Sequence, residues 1–165
     1  MIALLLGSNL GDREAMLNAA CGMLEDALQV ELKRTAVMET EAIGFEGPSF
    51  LNMAVGFEAP ECLTPLALLE ICQWVEVSLG RPRHKAVYDK DGRRVYASRT
   101  IDIDILKYND VACHTARLVL PHPQIYSRPF AAALLEELNQ PLASDLSNPG
   151  NYFIFMATKI AMLPL

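Results

Sequence analysis

The order in which the apolar period changes along this chain constrains its fold more than any single motif. Ile2 to Leu6 is a short aliphatic run closed by Gly7, which reads as a buried strand entering a turn at Ser8-Asn9-Leu10-Gly11. Asp12 then stands at a helix N-cap position. Leu17, Ala20, Cys21, Leu24, Ala27 and Leu28 follow at three- and four-residue spacing, which places them on one side of an amphipathic helix. A second strand is expected over 30–40, a Gly/Pro loop over 44–49, and a third strand over 50–58. Thr64 as N-cap, with Pro65 at the first helical position, opens a second helix that runs through Leu79 and stops at Gly80. Residues 101–108 alternate as a strand, and the Ala/Leu-rich stretch 128–138 is helical in character.

Strand, helix, strand, strand, helix, strand is the α+β, ferredoxin-like βαββαβ plan of two split βαβ units. It predicts an antiparallel sheet with helices packed on one face. A chain of 165 residues fits one such domain, 1–165, with a single core. The plan hosts enzymes, regulatory domains and RNA binders alike, so activity has to be argued from a site.

Composition removes several classes. The four cysteines are scattered and form no C-x-x-C pair, which argues against a disulfide framework or a zinc knuckle. The opening MIALLLGSNLGDR has no basic leader, and its apolar run is too short for a signal or a membrane span, so the cytoplasm is the expected compartment and no membrane is an expected partner. A net charge of −6 speaks against a general nucleic-acid binder, but it hides an asymmetry. Between Arg81 and Arg99 lie seven Lys/Arg against Asp89 and Asp91, a local excess of +5.

That basic segment runs straight into Ile101-Asp102-Ile103-Asp104-Ile105. Period-two geometry sends the isoleucines to one face and both carboxylates to the other. Paired carboxylate oxygens suit Mg²⁺ or Mn²⁺ and can bridge two ions for phosphoryl chemistry. The plain alternative is a strand with one wetted face. Two like charges side by side also repel, so neutralising either is expected to leave metal-free stability unchanged or slightly raised.

Upstream, Arg99 and the Arg81/Arg83 pair flank 80–98, a stretch too long for a simple connection. Guanidinium groups bind phosphate oxygens in bidentate fashion, so the segment suits the covering of a triphosphate; a solvated charged loop is the other reading. On the third strand Phe50 and Asn52 share the face opposite Leu51, Met53, Val55 and Phe57. An aromatic ring and an amide together suit a flat heterocycle, although each alone is an ordinary strand residue. Leu69, Gln73 and Glu76 share one stripe of the second helix, which could hold an adenine edge or simply mark the border of core and solvent. The Gly7 to Asp12 turn lacks a following Gly-Lys-Ser/Thr and is no phosphate loop. His122, between prolines in Leu120-Pro121-His122-Pro123, is expected in an exposed turn within reach of phosphate.

With these segments in order, the chain resembles the 6-hydroxymethyl-7,8-dihydropterin pyrophosphokinases of folate biosynthesis across residues 1 to about 140. The resemblance rests on Leu6-Gly7-Ser8-Asn9-Leu10-Gly11-Asp12, Phe50-Leu51-Asn52, Gly80-Arg81-Pro82-Arg83, Arg99-Thr100-Ile101-Asp102-Ile103-Asp104, and Leu120-Pro121-His122-Pro123 followed by Arg128-Pro129-Phe130. It implies that Asp102 and Asp104 hold two magnesium ions between ATP and the substrate hydroxyl. Arg83, Arg99, Arg117, His122 and Arg128 would surround the phosphates, Arg81 would belong to a moving catalytic loop, and Leu69, Gln73, Glu76 and Ile105 would line the nucleotide pocket. The pterin would stack between Phe50 and Phe130, bond Asn52 and Asp102, and meet groups near Thr40, Ala42 and Ile43. Where many of the family carry a tryptophan before the arginine, this chain has Tyr96-Ala97-Ser98. Residues 151–165 match nothing in the family pattern and read as a final strand or a packing segment.

The implied reaction is attack of the hydroxymethyl oxygen on the β-phosphorus of ATP with departure of AMP, by a monomer needing no nucleic acid. Two rivals share the fold. A non-catalytic nucleotide sensor would leave the carboxylates solvated, and an RNA-binding module would need the aromatic-rich sheet motif that is missing here.

Overall fold

In a computed structural model, the described residues are 1–81, 87–88, 90, 94–95 and 97–139. The elements are β1 (Ile2–Ser8), α1 (Arg13–Leu28), β2 (Lys33–Arg34), β3 (Met38–Thr40), β4 (Phe50–Phe57), α2 (Pro65–Ser78), β5 (Val87–Tyr88), β6 (Arg94–Val95), β7 (Asp102–Tyr108), β8 (Cys113–His114), β9 (Val119–Leu120) and α3 (Pro129–Asn139), with one 3₁₀ turn at Pro123–Ile125.

The main sheet runs β2-β4-β1-β7, and β3 also pairs with β4. Every one of these pairings is antiparallel. β1 and β2 therefore run parallel with β4 between them, and β4 and β7 run parallel with β1 between them. These are the two interleaved βαβ units expected from the sequence. β1 sits at the centre and is buried along its whole length, which explains why it reads as an unbroken apolar run rather than an alternation.

Helix boundaries follow local chemistry. The Asp12 carboxylate accepts the Ala15 N–H at 3.1 Å, and Thr64 Oγ1 accepts the Ala67 N–H at 3.2 Å, so each helix has one of its four orphan donors satisfied by the residue before it. Leu17, Ala20, Cys21, Leu24 and Leu28 of α1, and Leu68, Cys72 and Val75 of α2, are buried against the isoleucines of β7 and the even-numbered side chains of β1. Ala27, expected on the same side of α1, is exposed.

Three expectations are corrected. The first strand does not close at Gly7 but continues to Ser8, with Gly7 inside the ladder. The single second strand is two short ones, β2 and β3, each on β4. Helices are not confined to one face: α3 packs on the other, where Ala131, Leu134 and Leu138 cover Ala3, Leu5, Ala54 and Leu106. Its far end lies on the backbone of Gly56, where an added Cβ would come within 2.9 Å of a Leu138 methyl. Because α3 covers this face only from Gly56 as far as Phe130, the end of the sheet around Gly7 is left open.

Candidate active site

The site is assembled by register. β1 pairs Gly7 with Asn52 of β4 on one side and with Asp102 of β7 on the other, and Leu5 with Ala54 and Asp104. Paired residues in a ladder project to the same face, so the aromatic–amide strand and the carboxylate strand are set on opposite sides of one glycine. The missing side chain matters: a Cβ on Gly7 would stand 3.1 Å from Asn52 Oδ1 and 3.4 Å from the Phe50 ring. Gly7 is thus the floor of an open pocket of about 480 Å³.

One wall is aromatic, with Phe45, Phe50 and Phe130, and carries Ile43 beside them. Phe45 meets Phe50 edge to face at 6.4 Å, and the Arg99 guanidinium lies 5.8 Å from the Phe50 ring centre. Asn52 is buried, donating from Nδ2 to Thr40 Oγ1 at 2.9 Å, which fixes which way its amide faces. The opposite wall is charged, with Asp102, Asp104, Arg99 and Arg128.

The two carboxylates differ in environment. Asp102 is held by two guanidinium groups: Arg81 Nη1 donates to its Oδ1, and Arg99 Nη1 donates to its Oδ2 at 2.9 Å. Arg81 Nη1 also donates to Glu76 on α2, so one cation ties helix, strand and pocket together. Asp104 has no such partner among the described hydrogen bonds. Burial, and then the neighbouring Asp102 charge, push its carboxyl up to about 7. Burial likewise raises Glu76, with Arg81 opposing, and lowers His122, which also lies near Arg128. The expectation that neutralising either carboxylate is harmless to stability does not take account of Asp102's two guanidinium donors, whose charge-assisted bonds Asp102→Asn would give up.

The donor chemistry suits hard divalent ions. A carboxylate whose ionisation is disfavoured by burial and a like charge is one that a cation would stabilise. Among the described residues no group of three or more His, Cys, Asp or Glu comes together as a metal cage. Two carboxylates beside an open pocket leave the remaining positions to phosphate oxygens and water, as magnesium sites with nucleotides require.

Of the residues singled out from sequence, Thr40, Ile43, Phe50, Asn52, Arg99, Asp102, Asp104, Arg128 and Phe130 line this one pocket. Ala42 does not line it, although its neighbours on both sides do. Arg81 reaches it through Asp102, and Glu76 only through Arg81. Leu69 and Gln73 lie half-buried on α2, Ile105 is in the core with α1 and α2, and exposed Arg117 pairs with Glu70 at 3.3 Å. His122 is half-buried rather than in an open turn. Its backbone N–H donates to Leu106 O at 2.9 Å, and its ring Nδ1 accepts the Gln124 N–H at 3.3 Å, which holds the residue beside β7. Arg83 and the centre of the basic stretch lie outside the described residues.

Sequence reasoning missed Gly7, Leu5, Glu41 and Phe45. It also missed Asn9, which is buried and cross-links three loops: its Oδ1 accepts the Arg99 N–H at 2.8 Å, and its Nδ2 donates to Pro48 O and Ser98 Oγ. An Asn in a Gly-rich turn looks like turn chemistry, so only its burial reveals the cross-link.

The family model described as 7,8-dihydro-6-hydroxymethylpterin-pyrophosphokinase matches residues 3–140. The chain is 37% identical to the 2-amino-4-hydroxy-6-hydroxymethyldihydropteridine pyrophosphokinase of Bacillus subtilis, over 87% of this chain and 80% of the relative. It is equally similar to the protein of the same name from Porphyromonas gingivalis, over 90% of this chain and 97% of that one. A folate synthesis bifunctional protein of Chlamydia trachomatis is 31% identical over 83% of this chain, which spans 30% of that longer protein.

Proposed function

The chain belongs to the 7,8-dihydro-6-hydroxymethylpterin-pyrophosphokinase family, and from that premise we propose that the pocket over Gly7 is where the diphosphate of ATP passes to the pterin. The activity is transfer of that diphosphate to the hydroxymethyl group of 6-hydroxymethyl-7,8-dihydropterin, giving the pterin diphosphate and AMP in folate biosynthesis. ATP and the pterin are its small-molecule substrates. The observation that carries the site assignment is the register of β1, which brings the stacking strand and the carboxylate strand to either side of one glycine.

In this reading the pterin ring lies against Phe50 and Phe130, and Asn52 reads its edge through the amide that Thr40 orients. The hydroxymethyl group then points at the charged wall. Its oxygen forms the new bond to the β-phosphorus while the bond from that phosphorus to the AMP oxygen breaks, and the hydroxyl proton passes to a carboxylate or to water. Arg99 and Arg128 meet phosphate oxygens as charge redistributes, and Arg81 and Arg83 belong to the arm that brings further positive charge. Most of the acceleration comes from positioning and fixed charge rather than from a strong base. Asp102 and Asp104 would hold two magnesium ions, which when bound neutralise the triphosphate and ease loss of the hydroxyl proton. On α2, Leu69, Gln73 and Glu76 take the nucleotide side, with Ile105, Arg117 and His122. We further propose that the enzyme acts as a single-domain monomer in the cytoplasm and without nucleic acid; among the described residues no helix is long and apolar enough to cross a membrane.

The deciding experiment is incubation with Mg-ATP and 6-hydroxymethyl-7,8-dihydropterin: AMP together with the pterin diphosphate is expected, and ADP would refute the reaction class. Phe50→Ala tests the pterin wall. It should weaken pterin binding by about 1–3 kcal/mol, the scale of a lost stacking contact, with ATP binding little changed. Equal losses for both ligands by calorimetry would remove Phe50 from the pterin site.

A further inference from the structure

Asn9 does not line the pocket, yet both of the pocket's walls are tied to it. It is buried, with 1% of its surface exposed. Arg99 is held to it at two points: the Asn9 backbone N–H donates to Arg99 O at 3.2 Å, and the Arg99 backbone N–H donates to Asn9 Oδ1 at 2.8 Å. The other end of the same amide reaches the loop 44–49 and the residue before Arg99, with Nδ2 donating to Pro48 O at 3.1 Å and to Ser98 Oγ at 3.2 Å.

Each segment so held carries one wall. The two-point clamp fixes the main chain from which the Arg99 side chain starts, and at its far end the guanidinium lies 5.8 Å from the Phe50 ring centre and donates to Asp102 at 2.9 Å. The loop carries Phe45, whose ring meets Phe50 edge to face. Among the described hydrogen bonds, the Pro48 carbonyl is the only group of residues 44–48 to make one. Arg13 holds the loop at its foot, donating to Ser49 O at 2.9 Å and Oγ at 3.0 Å. Packing marks the same junction independently. A Cβ on Gly47 would stand 2.7 Å from the Phe45 ring and 3.2 Å from Ser98 Oγ, so the bare backbone there fits between the aromatic wall and the segment that leads into Arg99.

An amide carries an acceptor and donors in one rigid plane. With Oδ1 on Arg99 and Nδ2 on Pro48, the separation of the two segments is set by the dimensions of one side chain. In a transfer between two bound substrates that separation matters, because a misplacement of about 1 Å can cost about 100-fold in rate.

We propose that Asn9 is a positioning residue of the transfer reaction: its Oδ1 sets Arg99 against the phosphates, its Nδ2 sets Phe45 against the heterocycle, and the spacing of the two substrates follows from both. The proposal rests on the assignment of the pocket over Gly7 to ATP and the pterin.

Steady-state kinetics separate the two halves of the amide. Asn9→Asp keeps an oxygen for the Arg99 N–H but gives up donation to Pro48 and Ser98, so it should raise the pterin KM about three- to tenfold, the effect of losing one ordinary hydrogen bond, with a smaller change in kcat. Asn9→Ala releases Arg99 as well and should add a fall in kcat of about tenfold or more. Gly47→Ala presses on Phe45 from the loop and should reproduce the pattern of Asn9→Asp. Burst AMP release gives the active fraction of each variant, and melting gives its stability. The same change in kcat and KM for Asn9→Asp and Asn9→Ala would overturn the proposal, as would lowered melting temperatures with both constants at the parental values. If Asn9→Ala does not fold, a parental pterin KM in Asn9→Asp and Gly47→Ala is enough to overturn it. Phe50→Ala, measured alongside, tests the premise: a parental pterin KM there removes the pocket assignment, whereas a raised one beside an unaffected Asn9→Asp removes the role of Asn9 alone.

Discussion

Asp104→Asn should lower AMP release by about 100-fold or more while raising the melting temperature of the metal-free protein, and the rise should grow with pH. The two effects have one cause. Asp104 is half-buried on the pocket face beside Asp102, without a guanidinium partner among the described hydrogen bonds, and desolvation and the Asp102 charge push its carboxyl up to about 7. Between the ordinary carboxylate value and that figure, the folded chelated protein binds a proton that the unfolded chain has released. Its stability therefore falls as pH rises through this window and levels off above it. Asn has no proton to lose, so the gap between variant and parent should be near zero at pH 4 and widest above pH 7. Each kcal/mol recovered should appear as roughly 2–4 °C in a chain of this size. Asp102→Asn should lose activity to a similar extent but melt lower than the parent, because it gives up bonds from Arg81 and Arg99. A magnesium series with AMP as the readout, paired with melting in chelator, separates the cases. Near-normal turnover of both variants would refute the two-ion site, and a lower melting temperature for Asp104→Asn would refute the account of its burial.

Arg99→Met is expected to reduce turnover by about 100-fold, with a smaller loss of pterin affinity of about 0.5–1 kcal/mol. Arg99 does two things at once: it lies over Phe50, and it donates to Asp102. Methionine keeps most of the stem and some contact with the ring, so a large loss of turnover isolates the charge. Lysine should recover only part of it, since one ammonium cannot serve a carboxylate and a phosphate in the planar, bidentate manner of a guanidinium. Burst and steady-state AMP release, with pterin affinity by calorimetry, would distinguish this from a folding defect. Full rescue by lysine would show that position 99 needs charge but no particular geometry.

Local chemistry was legible where one element contains its own reason. The alternation at 101–105 placed the isoleucines inside and the aspartates on the pocket face, and Asp12, Thr64 and Pro65 marked where helices begin. Phe50 and Asn52 could be put on one face from period alone. Their distance from Asp102 could not, because it depends on β1 pairing with β4 and β7 in one particular register, and that register is decided by long-range packing. Gly7 shows the limit well: a glycine after an aliphatic run looks like a strand end, and only the two flanking strands turn it into the floor of a site. Phe45 lies in a Gly/Pro loop with no period to mark it. The position of α3 was hidden for the same reason, since an Ala/Leu helix suits either face of a sheet until the other face is known to be filled.

Glu76 links the chemistry of this fold to its solubility. β7 is the last strand of the sheet, and the outward N–H of Ile103 would be a free rung on which another chain could build. The Glu76 carboxylate occupies that rung at 2.8 Å, and further along the same border the His122 N–H takes the carbonyl of Leu106. Among the described residues, the strand that bears both aspartates is thus sealed against edge-to-edge growth by side chain and loop rather than by another strand. Glu76→Ala should consequently show itself first as concentration-dependent association, with lost turnover as a secondary symptom.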